Sequence, residues 1–147
     1  MDTAIRDKAL SLLSYRAHSR RELSDKLKRK LSCSEQDLNA VLDWLEEMGF
    51  LDDRSYAASV VRHCASKGYG AGRISSELSR RGISRDLWDE ALTEMPDTDA
   101  ALDRLLRTKL RNPDDREEVR RVSAFLARRG YSWDEIRHAL ERLDQEC

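Results

Sequence analysis

Two copies of the tripeptide Arg-Arg-Gly carry the residues of this chain best suited to bind a charged partner. They occupy residues 80–82 and 128–130, within the similar segments LSRRGISRDLWDEAL at 78–92 and LARRGYSWDEIRHAL at 126–140. A guanidinium group presents several N–H donors in one plane, which suits phosphate and carboxylate oxygens. A basic motif that recurs with its charges intact favours a surface for a polyanion or for an acidic groove on a protein.

Further basic residues extend these two motifs, and a weaker third copy precedes them. Arg73 falls beside the first arginine pair on a helical wheel, next to the apolar stripe. Arg120 and Arg121 group in the same way with Arg128 of the second pair, and LKRKLSCSEQDLNAVL at 27–42 supplies a third basic cluster. The residues that we predict to contact a partner or DNA are Lys28, Arg29, Lys30, Arg73, Arg80, Arg81, Arg120, Arg121, Arg128 and Arg129.

The charges alternate along the chain, although the formal net charge is only −1. Basic and acidic side chains dominate successive runs, in the order 16–31 basic, 32–53 acidic, 54–85 basic, 86–103 acidic, 104–129 basic and 130–147 acidic. The basic runs favour repeated binding patches on one face of the molecule. An alternative stays open on the sequence alone, namely that basic and acidic helices of one module neutralise each other.

Composition and periodicity predict an all-α fold. Leucine is frequent, aromatic residues make up 6% of the chain, and only 2 prolines and 6 glycines interrupt it, which favours helices over strands. Apolar residues recur at helical spacing after Ser34, Ser84 and Ser132. We predict an elongated, curved molecule of three tandem three-helix modules, at residues 1–48, 52–93 and 97–145.

Capping and terminating residues mark the limits of these helices. The residues expected to cap a new helix through a hydroxyl oxygen are Ser34, Ser84, Ser132 and, in a capping box with Glu22, Ser19. Gly82 and Gly130 stand where the preceding helix ends and the chain turns left-handed. Asp52 and Asp53 are expected to cap the helix that carries Tyr56.

These residues lead to a known family. The segment RELSDKLKRK, followed by GFLDDRSYAASVVRHCASKGYGAGRISSELSRRGIS, resembles the RecX family of bacterial regulators of the RecA recombinase. The family-motif positions on which the resemblance rests include Gly49, Phe50, Leu51, Asp53, Tyr56, Gly68, Gly70, Ile74, Leu78, Gly82 and Ile83. One departure is Ala71, where family members commonly carry proline, and this alters the entry to a helix rather than the chemistry.

The resemblance implies a non-enzymatic regulator, usually an inhibitor, that binds RecA and the RecA filament on single-stranded DNA. Such a protein affects recombination, DNA repair and the SOS response. Weak binding to single-stranded DNA is expected, and binding to duplex DNA is left open. The alternative function is a helix-turn-helix-like DNA-binding protein that acts without RecA.

Other function classes have little support in the sequence. The glycines at 68, 70 and 72 lack the strand and the Gly-Lys-Ser/Thr ending of a phosphate loop, and His63 beside Cys64 lacks further zinc ligands. We therefore predict no catalytic residues, no metal site and no cofactor. Three cysteines and the absence of a long apolar run predict a cytoplasmic protein without a membrane span, and we expect a monomer.

The three tryptophans complete the set of candidate residues. We interpret Trp44, Trp88 and Trp133 as module core or contacts between modules, because large aromatic side chains are mostly buried. Stacking on nucleic-acid bases is the alternative interpretation.

Overall fold

The computed structural model describes residues 1–146, and within this range it contains nine α-helices, one short 3-10 helix and no strand. The predicted all-α fold is confirmed. The α-helices are α1 (Thr3–Tyr15), α2 (Arg20–Lys30), α3 (Glu35–Glu47), α4 (Asp53–Ser66), α5 (Ala71–Arg80), α6 (Trp88–Leu92), α7 (Thr98–Lys109), α8 (Arg116–Arg128) and α9 (Trp133–Glu146). None of the helices in the described part of the chain is long and apolar enough to cross a membrane.

Two compact units divide the chain, and neither coincides with a single predicted module. The first unit is Met1–Ser59 with Leu78–Ala91, and the second is Val60–Glu77 with the chain from Leu92 onward. Helices α4 and α5 each contribute to both units. The module limits predicted above therefore stay a prediction.

The core of the first unit comes from the apolar stripes of α1, α2 and α3. Its fully buried side chains are Ile5, Ala9, Leu23, Leu27, Leu38, Val41, Leu42, Leu45 and Leu51. Burying one leucine side chain contributes about 1.5 to 3 kcal/mol, so this cluster supplies much of the stability of the unit. Trp44 packs against it partly buried, as predicted.

The core of the second unit comes from α7, α8 and α9. Its buried side chains are Leu102, Leu106, Leu110, Val122, Leu126, Tyr131, Ile136 and Ala139. Trp133 contradicts the predicted core position, because 64% of its surface is exposed. Ile136, three residues later on the same helix, takes the buried position instead.

Most predicted helix caps are present. Ser19 and Glu22 form a capping box at the start of α2, and Ser34 Oγ accepts from Asp37 N–H at 3.1 Å. Ser132 Oγ accepts from Glu135 N–H at 3.1 Å in a second capping box, ahead of α9.

The predicted cap at Ser84 is wrong. Its hydroxyl makes no capping bond and instead bonds to the carboxylate of Asp86. The chain then begins with the 3-10 helix Arg85–Leu87 and reaches α-helical geometry only in the five residues of α6. The third helix of this module is therefore shorter than its sequence pattern predicts.

The two aspartates ahead of α4 have different functions. Asp52 Oδ1 accepts from Ser55 N–H at 3.2 Å and caps α4, as predicted. Asp53 does not cap its own helix; its Oδ1 accepts from Arg20 N–H at 2.8 Å, at the start of α2. Burial raises the pKa of the Asp53 carboxyl above its ordinary value, and the Arg20 N–H opposes this rise. Asp53 thus joins two segments that are distant in sequence.

The predicted glycine turns are confirmed. Gly82 has φ of 76° and Gly130 has φ of 102°, in the left-handed region that side chains with a Cβ disfavour. After each glycine, the next backbone N–H returns to the preceding helix: Ile83 N donates to Leu78 O at 3.1 Å and Tyr131 N to Leu126 O at 3.2 Å. Helices α5 and α8 therefore end in matching turns.

Candidate functional site

In the second unit, the Arg-Arg-Gly turn at 128–130 packs directly on the first residues of α5. Gly70 N donates to Arg129 O at 2.7 Å, and Gly72 N donates to Gly130 O at 3.0 Å. A Cβ added at Gly70 would lie 2.7 Å from the carbonyl carbon and oxygen of Gly130. The absence of a side chain at Gly70 is what allows the two backbones to approach.

The side chain of Arg129 lies within this unit rather than extending into solvent. Its guanidinium lies over the Tyr69 ring at 4.4 Å and over the Phe125 ring at 5.6 Å, and it donates to Lys67 O. Arg73 lies over Tyr69 at 4.7 Å. Cation–π contacts of this kind contribute roughly 0.5 to 2 kcal/mol each. Arg129 therefore holds the turn against α5.

Tyr131 completes this cluster. Its hydroxyl donates to Gly68 O at 3.0 Å, and burial raises the pKa of the phenol. Nε of Arg129 is buried with no hydrogen-bond partner among the described residues, so the guanidinium is held mainly by aromatic faces and by its bond to Lys67. Tyr69 and Phe125 are not among the predicted site residues, although both lie at the centre of the cluster. The sequence did offer a signal for both rings, because Tyr69 lies between Gly68 and Gly70 and Phe125 lies on the helix that ends just before Gly130.

In the first unit, the Arg-Arg-Gly turn at 80–82 packs in the same way on the first residues of α2. Ser19 Oγ donates to Arg81 O at 2.5 Å. The Arg81 guanidinium donates to Tyr56 Oη at 2.7 Å and lies 5.8 Å from the centre of that ring. A Cβ added at Gly82 would lie 2.8 Å from side-chain atoms of Arg21.

Tyr56 joins Arg81 to the start of α2. Arg16 also donates to Tyr56 Oη, at 3.2 Å, and pairs with Glu22 at 3.4 Å. Burial raises the pKa of Tyr56. Burial also acts to raise the pKa of Glu22, but hydrogen bonds from Ser19 N–H and its other neighbours outweigh it, and the net shift is downward. The family-motif tyrosine is therefore part of a polar network that fixes the turn.

The remaining predicted arginines are exposed. Arg80 and Arg128, the first member of each pair, lie on the surface, and so does Arg73 apart from its contact with Tyr69. On α8, Arg120, Arg121 and Arg128 are exposed, and none of them forms an ion pair in the part of the chain that the structure describes. We call these three residues the α8 basic face.

Other basic residues are neutralised by neighbouring helices, as the alternative interpretation proposed. Lys28, a predicted contact residue, pairs with Glu35 at 2.9 Å, and this hydrogen bond raises the pKa of its ammonium. Arg29 and Lys30 are exposed, with no ion pair among residues 1–146. The further cations paired across helices are Arg20 with Asp43 and Glu46, Arg54 with Glu90, Arg62 with Glu94, Arg107 with Glu146, and Arg142 with Asp103.

Metal-ligand side chains do not gather at either turn. Over residues 1–146, the structure contains no group of three or more His, Cys, Asp or Glu side chains that could hold a metal ion. The chemistry of both sites is that of cations, aromatic rings and backbone groups.

The comparisons with known proteins agree along the chain. Three models of RecX domains match it: the first three-helix domain at residues 6–45, the second at 52–92 and the third at 97–140. The chain is 37% identical over 146 residues to the regulatory protein RecX of Halorhodospira halophila, covering 97% of this chain and 90% of that protein. It is 38% identical over 150 residues to that of Ectopseudomonas mendocina, covering 97% and 96%. The crystal structure of RecX from Lactobacillus salivarius superposes with a TM-score of 0.86 at 25% identity, covering 97% of this chain and 96% of that one.

Proposed function

The chain belongs to the RecX family of regulatory proteins, and on that premise we propose that it modulates, and mostly inhibits, the RecA recombinase. It does so in the cytoplasm as a non-enzymatic protein that binds RecA and the RecA filament on single-stranded DNA. Recombination, DNA repair and the SOS response are affected through RecA. The proposal rests on family membership and on the distribution of charge over the surface.

The observation that carries the proposal is the α8 basic face. Three exposed guanidinium groups on one helix lack intramolecular carboxylate partners in the described chain. Elsewhere, cations such as Arg20 and Arg54 are already paired with acidic side chains. An unpaired cationic surface gains more from an external anion than a paired one, because binding breaks no existing ion pair.

Within each Arg-Arg pair we assign different functions to the two residues. Arg80 and Arg128, which are exposed, contact the filament together with Arg73, Arg120 and Arg121. Arg81 and Arg129, which are half-buried, shape the turn that presents them. Arg29 and Lys30 are further contacts, whereas Lys28 must first separate from Glu35.

Charge reversal of the α8 basic face tests this function. We expect Arg120→Glu, Arg121→Glu and Arg128→Glu together to weaken inhibition of RecA-driven ATP hydrolysis on single-stranded DNA by at least about tenfold in the concentration required. The matched control carries glutamate at three exposed cations outside that face, Lys67, Arg104 and Arg111. It therefore has the same net charge as the α8 variant. Equal inhibition by wild type and the α8 variant, with helicity intact, would remove the assignment.

The alternative function, a helix-turn-helix-like protein that binds DNA without RecA, gives a different result. On bare single strand, loss of three phosphate contacts flattens the slope of log affinity against log salt by roughly 2, at about 0.7 per contact. If wild type binds bare DNA tightly and leaves RecA activity unchanged, the alternative is correct. If affinity is low on bare DNA and high on a RecA-coated strand, the RecA-directed function is supported.

A further inference from the structure

The first unit contains a groove of about 800 Å³ along α2. One wall is α2 and the other is the segment from Ser79 to Trp88, with Asn39 and Leu42 of α3 also contributing. The cationic side chains lining it are Arg20, Arg21, Lys28 and Arg85, and the uncharged polar ones are Ser24, Asn39, Ser79 and Ser84. It also contains one aromatic residue, Trp88.

Trp88 and Arg85 form a flat platform in this groove. Trp88 Nε1 donates to Ile83 O at 3.0 Å, which fixes the half-buried indole ring. The exposed Arg85 guanidinium lies over that ring, 5.6 Å from its centre. Stacked guanidinium and indole groups are surfaces on which nucleic-acid bases stack.

The cations of the groove differ in their availability. Arg20 is tied to Asp43 at 2.8 Å, and Lys28 is tied to Glu35 at 2.9 Å. Arg21 and Arg85 are exposed and form no ion pair within the described residues. Two guanidinium groups are thus available to a ligand, one of them on the aromatic platform.

We propose that this groove binds a short segment of single-stranded nucleic acid. A base stacks on the platform of Arg85 and Trp88, while Arg21 contacts a phosphate of the same strand. The side chains of Ser24, Asn39 and Ser84 supply hydrogen-bond donors and acceptors to base edges or sugars. The inference deepens the proposed function and rests on it, because it places the DNA strand of the filament on the first unit.

The platform favours nucleic acid over an acidic peptide. A peptide carboxylate would use Arg21 but would gain nothing from a flat indole surface, whereas a base uses both. Two carboxylates also line the groove, those of Asp25 and of Asp53, whose Oδ1 accepts from Arg20 N–H. Four basic side chains line it as well, so the cations are in excess.

The second Arg-Arg-Gly repeat lacks this platform, although its flanking sequence is similar. In the alignment of the two repeats, Trp133 stands in place of Arg85, and Ile136 stands in place of Trp88. Ile136 is 1% exposed and belongs to the core. The structure therefore predicts base stacking on the first repeat and none at the buried Ile136 of the second repeat.

Tryptophan fluorescence tests the proposal directly. One variant keeps only Trp88, through Trp44→Phe and Trp133→Phe, and a second adds Arg85→Gln to these two changes, which removes the guanidinium from the platform but keeps the same fluorophore. We expect oligothymidylate about 12 nucleotides long, a typical length for one site, to quench Trp88 saturably in the first variant and only at higher concentration in the second. Equal quenching of the two variants, or no quenching of the first at saturating oligonucleotide, would overturn the proposal.

Affinity measurements in the otherwise unchanged protein avoid dependence on the tryptophan variants. By anisotropy of the same labelled oligonucleotide, Arg85→Gln with Arg21→Gln should weaken binding about tenfold, and the control Arg104→Gln with Arg111→Gln by less than about twofold. Equal loss in both variants, or loss of RecA inhibition with unchanged oligonucleotide affinity, would contradict the proposal and in the second case indicate a protein ligand.

The RecA assay separates this inference from the proposed function. If the oligonucleotide quenches Trp88 in the variant that keeps only this tryptophan, but wild type leaves RecA-driven ATP hydrolysis unchanged, the groove assignment stands and the proposed function fails. If RecA is inhibited while Trp88 does not respond to the oligonucleotide, the function stands and the groove assignment fails.

Discussion

The two Arg-Arg-Gly turns perform the same structural task with different chemistry. In each unit, the carbonyl of the second arginine accepts a hydrogen bond from the residue just before a helix, α2 in the first unit and α5 in the second. In the first unit the donor is the Ser19 hydroxyl, at 2.5 Å, and in the second it is the backbone N–H of Gly70, at 2.7 Å. A serine keeps a side chain between the two segments, whereas a glycine brings the two backbones into contact.

The two turns also differ in how well they tolerate a side chain at the glycine. Around Gly82, the atoms nearest to an added Cβ are Cβ and Cδ of Arg21, both at 2.8 Å, and Cγ of Arg21 at 3.1 Å. Around Gly130 the nearest is the backbone nitrogen of Arg73, at 2.4 Å, followed by Arg73 Cβ at 2.5 Å and Gly70 O at 2.8 Å. The Cγ and Cδ atoms of Arg21 can rotate away from a new methyl group and leave one close contact with a fixed Cβ, whereas none of the three contacts at Gly130 can be relieved by a side-chain rotation. The second turn is therefore the less tolerant of the two, although its sequence motif is the same.

Alanine substitution of the turn glycines should show this difference as the largest effect. Gly130→Ala combines a positive φ with backbone overlap, and we expect a loss of about 3 kcal/mol or more in free energy of unfolding. Gly82→Ala should cost about 2 kcal/mol. Gly49→Ala is the matched control, because Gly49 has φ of 79° but nothing within 4 Å of an added Cβ, and it should cost about 1 kcal/mol.

Urea unfolding followed by circular dichroism measures the three values. The order Gly130, Gly82, Gly49 is the essential result, since it separates the cost of backbone overlap from the cost of φ alone. Equal losses in the three variants would show that φ accounts for the whole effect and that the two turns do not differ.

The two arginines of the second pair should differ in their contribution to stability. Arg129→Ala removes the contacts with Tyr69 and Phe125 and the bond to Lys67 O, and we expect a loss of about 2 kcal/mol in stability. Arg128→Ala, on the surface, should change stability by less than about 0.5 kcal/mol.

For RecA inhibition we expect the exposed arginine of the pair to matter, although its replacement leaves stability unchanged. Arg128→Ala should weaken RecA inhibition while thermal unfolding stays at the wild-type temperature. If Arg128→Ala destabilises the protein as much as Arg129→Ala does, the division of the pair into a structural and an exposed arginine is incorrect.

Local features were predictable from the sequence, because a helix and its ends are determined by residues a few positions apart. The apolar stripes, the capping boxes at Ser19 and Ser132 and the glycine turns are of this kind. The predicted cap at Ser84 was wrong because its hydroxyl can bond either to a backbone N–H of the next helix or to the nearby Asp86 carboxylate. Only the folded geometry determines which of the two bonds forms.

Long-range features were not predictable in the same way. Arg81 meets Ser19 and Arg129 meets Tyr69 across roughly sixty residues of chain, and the helical wheel that grouped the arginines treats each helix alone. The wheel placed Arg81, and the repeated pair placed Arg129, on a binding surface together with their exposed neighbours. The repeat was the feature of the sequence that pointed to both turns, since each copy carries one structural arginine and one exposed arginine at the same spacing from the glycine.

A smaller difference between the two turns concerns pH. His18 precedes Ser19 in the first unit, and Tyr69 precedes Gly70 in the second. His18 is 3% exposed; its Nδ1 lies 3.0 Å from Arg16 O and its Nε2 lies 2.9 Å from Lys26 Nζ. Burial lowers the pKa of this imidazole below 6.5, and the neighbouring charge of Arg16 adds to the effect, so the folded protein holds it neutral.

Acidification should therefore weaken the first turn selectively. Below pH 6.5 the unfolded chain takes up a proton at His18 before the folded chain does, so the free energy of unfolding falls as the pH is lowered from 6.5 toward the depressed folded pKa. His18→Gln keeps a neutral donor and acceptor, and the difference in stability between wild type and this variant should shrink across that window. Urea titrations of both proteins from pH 7.5 to 5 measure it. Tyr69→Phe is the control in the second turn, because it leaves His18 and its neighbours in place, and this variant should lose stability on acidification as wild type does. A His18→Gln difference that is constant over the whole range would mean that the imidazole is not held neutral, and the two turns would then respond to acid alike.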